Sequence, residues 1–107
     1  MRTLTHREII PAAELAEGTC LEIGPQEHSK ITIAAYTTSA NIRMKLYYLF
    51  DDNGTDTAVE METYDIPQND ITIINFNFKL SKLRITRQDT GPDATAGVLK
   101  IDATTSK

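Results

Sequence analysis

The clearest candidate for a chemical site is a group of three acids, Asp51, Asp52 and Asp56, around an Asn-Gly pair at 53–54. Carboxylate oxygens are the ligands that Ca²⁺ prefers. A helix–loop–helix calcium loop needs acids at alternating positions before its glycine, but the fifth residue before Gly54 is a leucine, which cannot bind a metal. The sequence therefore excludes that loop and leaves a shallow calcium site on the three acids as an alternative.

A β-hairpin explains the same stretch without any metal. Asn-Gly is the pair that two-residue type I′ turns prefer, and a turn at 53–54 places apolar residues opposite apolar ones and acids opposite bases or tyrosine. The predicted cross-strand pairs are Tyr48 with Val59, Phe50 with Thr57, Leu46 with Met61, Lys45 with Glu62, Tyr47 with Glu60, and Arg43 with Tyr64. We therefore interpret the acids as the tip of a hairpin.

No other group of residues in the sequence indicates catalysis. His6 and His28 do not form a metal-ligand spacing, and the five glycines do not form a phosphate-binding loop. Cys20 is the only cysteine, which excludes an internal disulfide and is typical of a small buried side chain. We expect a protein that is not an enzyme and needs no cofactor.

Size and charge restrict the partners. The chain has 107 residues, enough for one domain, and a net charge of −4. Nucleic-acid binding needs clustered basic side chains, and a membrane span needs a long apolar run, so neither partner is expected. Residues 1–17 carry charges throughout and lack the apolar stretch of a secretion signal, which predicts synthesis in the cytoplasm.

The dominant pattern is alternation of apolar and polar side chains, which is typical of half-buried strands. Only Ile71 and Ile73 are out of phase with the residues after them, and a bulge near 73–74 is expected there. Eight short strands separated by turn residues predict an all-β fold: an antiparallel, jelly-roll-like β-sandwich of about eight strands. The predicted inward residues are Ile31, Ile33, Ala35, Ile42, Met44, Leu46, Tyr48, Phe50, Val59, Met61, Ile74, Phe76, Phe78, Leu80, Leu83, Ile85, Leu99, Ile101 and Ala103.

The two ends of the chain carry further predictions. Residues 1–17 are interpreted as an extended N-terminal arm or a first strand, with "PAAELAEG" as a short helical connector, and residues 18–107 as the β-sandwich domain. Near the other end, a loop through 89–95 predicts a second hairpin in which Leu83 faces Ile101 and Ile85 faces Leu99.

Several residues could form contacts with other subunits. Tyrosine and arginine are enriched in protein interfaces, and opposed charged patches favour docking. Tyrosines on an outer face also fit a carbohydrate-binding surface, which stays open as an alternative. The candidate interface residues are Leu4, Ile9 and Ile10 in the arm, Arg43, Tyr47 and Tyr64 on the outer face of the hairpin, and the basic Lys82 and Arg84.

The extended "THREIIPAAELAEGTCLEIGP", the run of strands and the closing "LRITRQDTGPDATAGVLKIDATTSK" together resemble small β-sandwich virion proteins of tailed bacteriophages, particularly head decoration (cement) proteins. The resemblance implies a non-enzymatic structural protein of the virion. Such a protein docks on the lattice of the major capsid protein, self-associates, often as a trimer, and braces the capsid. The alternative is a carbohydrate-binding or receptor-binding module of a phage tail or cell-surface protein.

Overall fold

Eight strands and one short 3₁₀ helix account for the regular structure in the computed structural model, which describes residues 8–18, 20–23, 30–76, 82–94 and 97–106. The elements are β1 (Glu8–Leu15), β2 (Cys20–Ile23), β3 (Lys30–Thr37), β4 (Ile42–Asp52), β5 (Thr55–Ile66), β6 (Ile71–Phe76), β7 (Leu83–Asp89), the 3₁₀ helix Pro92–Ala94, and β8 (Leu99–Ser106). None of the described residues belongs to a helix long and apolar enough to cross a membrane.

The strands form two four-stranded antiparallel sheets, ordered β1-β8-β3-β6 and β2-β7-β4-β5. We call them the first and the second sheet. The first strand pairs with the eighth, the second with the seventh, the third with the sixth and the fourth with the fifth. A chain folded as one long hairpin and then rolled up has this topology, which is the jelly roll. The predicted all-β jelly-roll sandwich is confirmed.

The core lies between the two sheets, where the predicted alternation holds along most strands. Ile33, Ile85 and Ile101 are fully buried, and each buried side chain of this size contributes about 1.5–3 kcal/mol. Phe50 and Val59 are the main departures, because both are about half exposed although they were predicted to point inward. Phe78 and Leu80 lie outside the described residues. The other buried apolar residues of this core are Leu15, Ile31, Ala35, Ile42, Met44, Leu46, Ile66, Ile74, Leu83, Ala94, Leu99 and Ala103.

The β4–β5 hairpin forms at the predicted turn. Asn53 and Gly54 have positive φ values of 54° and 87°, as a type I′ turn requires. Near the turn the predicted register is confirmed, with Tyr48 facing Val59. The other confirmed pairs are Phe50 with Thr57 and Tyr47 with Glu60.

Farther from the turn the predicted register is wrong, because Met61 forms a β-bulge and Leu46 faces Glu62. A bulge adds one residue and reverses which side chains point inward. It turns Ile66 into the core, where a regular ladder would have placed Asp65. The pairs that the bulge displaces are Leu46 with Met61, Lys45 with Glu62, and Arg43 with Tyr64.

The N-terminal segment is a strand rather than an arm over residues 8–15, and the helical connector is wrong. The strand β1 pairs with β8 and passes through a register shift between Ile10 and Ala13, where Pro11 lies. Proline cannot donate to a ladder, but a bulge on an edge strand tolerates it. Ile9 and Ile10 face Thr104 and Ala103 of β8, while Leu4 lies outside the described residues.

Two other predictions are wrong, the second hairpin and the bulge in β6. The strands β7 and β8 lie in different sheets, so the second hairpin does not form, and each has neighbours on both sides instead. The strand β6 pairs regularly with β3 from Ile71 to Phe76, without the expected bulge near 73–74. Ile71 and Ile73 therefore stay on the outer face of the first sheet.

Candidate docking surfaces

Of the three acids at the hairpin tip, only Asp56 has a side chain that the structure describes. Among the described residues of the whole chain, no three His, Cys, Asp or Glu side chains come together as a possible metal site. The carboxylate of Asp56 accepts a hydrogen bond from Lys82 Nζ at 2.8 Å. Asp51 faces Asp56 across the ladder, and the side chains of Asp51 and Asp52 lie outside the described residues. The calcium alternative thus stays a prediction.

The outer face of the second sheet carries three of the eight predicted interface residues, Arg43, Tyr47 and Arg84, and both arginines already have partners. Arg43 pairs with Asp65 at 2.8 Å, and Arg84 pairs with Glu22 at 3.0 Å. Tyr47 lies half-buried in the ladder between these pairs. Exposed ion pairs of this kind contribute about 0–1 kcal/mol each, so they organise the surface more than they stabilise it. This face offers few unpaired charges to another subunit.

Tyr64 does not lie on that outer face. Because of the bulge it faces Met44 and packs against the core. Burial raises the pKa of the Tyr64 hydroxyl above its ordinary value, and the charge of Glu62 raises it further. Tyr47 and Tyr64 therefore lie on opposite faces of the hairpin, and the predicted flat tyrosine surface for a sugar does not form.

An exposed apolar patch lies near the tip of the hairpin. The rings of Tyr48 and Phe50 have centroids 4.5 Å apart, and Val59 faces Tyr48 across the ladder. Phe50 is 52% exposed and Val59 is 46% exposed. The ladder between β7 and β4 ends at Tyr48, and just beyond it Leu49 N donates a hydrogen bond to the carbonyl oxygen of Lys82 at 3.1 Å. We call Tyr48, Phe50 and Val59 the hairpin patch.

A second exposed apolar surface lies on the outer face of the first sheet. Ile71 is 59% exposed and Ile73 is 62% exposed, both on the edge strand β6. Beside them a depression of about 210 Å³ is lined by Ala34, Tyr36, Ile71, Lys100, Asp102 and two core residues. Ligand pockets usually measure about 300–1,000 Å³, so this depression suits a single side chain of a partner better than a small molecule.

The alternation rule missed these two surfaces because it assigns every apolar residue in phase to the core. Phe50 is in phase but lies beyond the end of the β7 ladder. Ile71 and Ile73 are out of phase, and that break in the pattern was the signal of an outer apolar face.

No protein-family model and no curated protein matches this sequence. Solved structures with a similar fold include the following two. A chain in the structure of infectious bursal disease virus, Gx strain, aligns over 95% of this chain and 32% of its own length, with 11% identity and a TM-score of 0.57. A chain from Bacillus endospore appendages, described as a novel family of disulfide-linked pili, aligns over 100% of this chain and 91% of its own length, with 13% identity and a TM-score of 0.50.

These likenesses show the fold alone. This chain spans about a third of the virus chain that it matches. Its jelly roll is thus shared with a chain of a virus and a chain of a pilus, neither of which is a tailed-bacteriophage decoration protein.

Proposed function

We propose that this protein is a non-enzymatic structural subunit that docks on other subunits of a particle, and that its specific role is that of a capsid decoration protein on a lattice of major capsid protein. The observation that carries the proposal is the hairpin patch. Exposed apolar side chains that lie next to one another, as Phe50 and Val59 do beside the partly buried Tyr48, mark surfaces that a partner covers more often than single exposed apolar residues do.

The composition of the patch fits the centre of an interface. Aromatic side chains are enriched there, and covering the exposed parts of Phe50 and Val59 contributes on the order of 1–2 kcal/mol each. Glu62 lies exposed on the same face of the hairpin as Val59 and gives the patch an acidic neighbour, whereas Glu60 lies on the opposite face, 3.9 Å from Lys45 Nζ. The partner surface is therefore expected to be an apolar hollow bordered by basic side chains.

The shared fold supports this function at a coarser level. Jelly rolls are common in subunits of viral capsids, and the two similar chains come from a virus and from pili. Both sources favour a protein that associates with further subunits, including copies of itself, and the virus chain favours a location in a virion.

The test compares docking by the wild-type chain with docking by Phe50→Asp. Purified chain is mixed with particles, or with the capsid protein if one is encoded by a neighbouring gene, and co-sedimentation is measured. Phe50→Asp is expected to weaken docking at least tenfold, because it places a charge at the centre of the contact. The matched control is Ala58→Asp, which adds the same charge on the opposite face of the hairpin. Equal docking by wild type and Phe50→Asp contradicts the proposal.

One observation still favours the carbohydrate-binding alternative: Tyr47 is half-exposed on the outer face of the second sheet. A glycan array with wild type and Tyr47→Ala separates the two functions. Sugar binding that Tyr47→Ala abolishes favours the binding module and contradicts the decoration role.

A further inference from the structure

The four edge strands of the two sheets differ in how they are protected against pairing with another chain. Edges are usually blunted by proline, bulges, charges or short length. The strand β1 carries Pro11 at a register shift, and β2 has only four residues, one of them Glu22. The strand β5 carries the Met61 bulge and several exposed acids. Three of the four edges thus resist strand addition.

The strand β6 has none of these features. Its sequence, ITIINF, contains no charge, proline or glycine, and half of its residues are isoleucine. It pairs with β3 in regular register over its full length, so no bulge interrupts it. A six-residue segment with high β-propensity and no charge readily pairs with another strand. The exposure of Ile71 and Ile73 extends this apolar character over the adjoining face.

We propose that β6 is the surface through which two copies of this chain join, each adding its β6 antiparallel to that of the other. This pairing would serve the structural function proposed above, and its biological role rests on that function. In a second copy of the chain, β6 is again the one of these four edge strands without protection. The β6 strand of one copy is therefore the expected partner for the β6 strand of the other. The result is one continuous eight-stranded sheet across the pair.

The strand is self-complementary under a two-fold axis. Such an axis places each residue near its own copy, so a charged edge would face a like charge. Pairing centred on Ile73 sets that residue opposite its own copy and Ile71 opposite Asn75, all on the outer face. On the inner face it sets Thr72 opposite Ile74. No charged pair arises over residues 71–75.

The pairing leaves the hairpin patch uncovered, because β4 and β5 belong to the other sheet. A pair of copies therefore displays two patches, and simultaneous docking of both strengthens attachment to a repetitive lattice without any new contact. A two-fold contact closes at two copies, in contrast to the trimer that the resemblance to decoration proteins implies.

The first test measures the mass of the purified chain by light scattering and sedimentation over a range of concentrations. Wild type is expected to reach the mass of two copies, and Ile73→Lys is expected to weaken dimerisation at least tenfold. The matched control Ala58→Lys adds the same charge to the exposed edge strand β5 and is expected to dimerise like wild type. A wild-type monomer at every concentration, a trimer, or an unchanged dimer in Ile73→Lys overturns the proposal.

A second test does not depend on how well Ile73→Lys folds. In a Cys20→Ser background, Ile73→Cys is expected to form a disulfide between two copies under mild oxidation, whereas Ala58→Cys is not. Lack of this crosslink overturns the pairing centred on Ile73. The two proposals fail separately: loss of dimers with Phe50-dependent docking intact refutes only the pairing, and dimers without such docking refute only the proposed function.

Discussion

Arg87 donates a hydrogen bond from Nη1 to the carbonyl oxygen of Leu15 at 2.6 Å, and this bond joins β7 of the second sheet to β1 of the first. The same guanidinium donates to the carbonyl oxygens of Ala94 and Gly97, both at 2.7 Å, and its Nε lies 2.8 Å from Asp89 Oδ1. The side chain of Arg87 is almost fully buried. One arginine thus ties both sheets and the connection between β7 and β8 together.

Replacing this arginine is expected to be costly. Arg87→Met leaves the buried carboxylate of Asp89 without its cation and removes one hydrogen bond from each of three carbonyl oxygens. We expect the free energy of unfolding to fall by about 3–5 kcal/mol, as when one partner of a buried pair is removed. Urea denaturation followed by circular dichroism measures the loss, and a fall below about 1 kcal/mol contradicts the role given to Arg87.

The double variant Arg87→Met/Asp89→Leu separates charge from hydrogen bonding. It is expected to recover part of the loss, because no unpaired charge remains in the interior. It does not recover the rest, since the carbonyl groups of Leu15 and Gly97 still lack the Arg87 donor, at about 1 kcal/mol or more each, whereas the Ala94 carbonyl keeps the N–H of Gly97 at 3.0 Å. Full recovery would show that these carbonyl contacts contribute little.

Gly97 is expected to tolerate no side chain. A Cβ at this position would overlap Cβ and Oγ of Ser39, in the turn between β3 and β4. Gly97→Ala should therefore lower the free energy of unfolding by about 1–3 kcal/mol, the usual cost of overpacking. Ser39→Gly removes the atoms that the new Cβ would meet, so the double variant should regain much of the stability. Additive losses in this double-mutant cycle contradict the predicted contact.

The raised pKa of Tyr64 predicts that the free energy of unfolding falls at alkaline pH. Its pKa is raised in the folded protein, first by burial and then by Glu62, so the folded state holds the phenolic proton more tightly than the unfolded state. The contribution is fully present below the unfolded pKa, near 10, and is lost as the pH rises through the higher folded value.

Urea denaturation between about pH 8 and pH 12 tests this prediction, since the window spans the ordinary tyrosine pKa. Tyr64→Phe should flatten the loss of stability above about pH 10, whereas Tyr47→Phe, which removes a hydroxyl from the outer face, serves as the matched control. Identical curves for wild type and Tyr64→Phe contradict a raised pKa for Tyr64.

Calcium is expected to leave the melting temperature unchanged. The Asp56 carboxylate is already bound by Lys82, and an ion would have to displace this contact to use it. A ligand that binds only the folded state raises the melting temperature, so a shift in millimolar calcium would restore the site on Asp51, Asp52 and Asp56. Asp56→Asn should abolish any such shift.

The sequence by itself determined the local structure of this protein. The alternation along β3, β7 and β8 identified their buried faces, because a strand places successive side chains on opposite sides. Asn53-Gly54 determined the tightest turn, because both positions need a positive φ, which Asn and Gly adopt more readily than other residues. Both features depend on residues that are close together in the sequence, so local sequence patterns were enough to predict them.

Only the tertiary structure decided which strands became neighbours. Alternation indicates which side of a strand meets the core, and any two strands with suitable faces satisfy it. The side chains of β7 and β8 therefore fit a hairpin in the sequence, although the two strands belong to different sheets. The bulge at Met61 arose because Ile66 gains more from burial than Asp65. The Arg87 contacts, the hairpin patch and the exposed edge of β6 likewise depend on where distant segments meet, and local pattern carries no information about that.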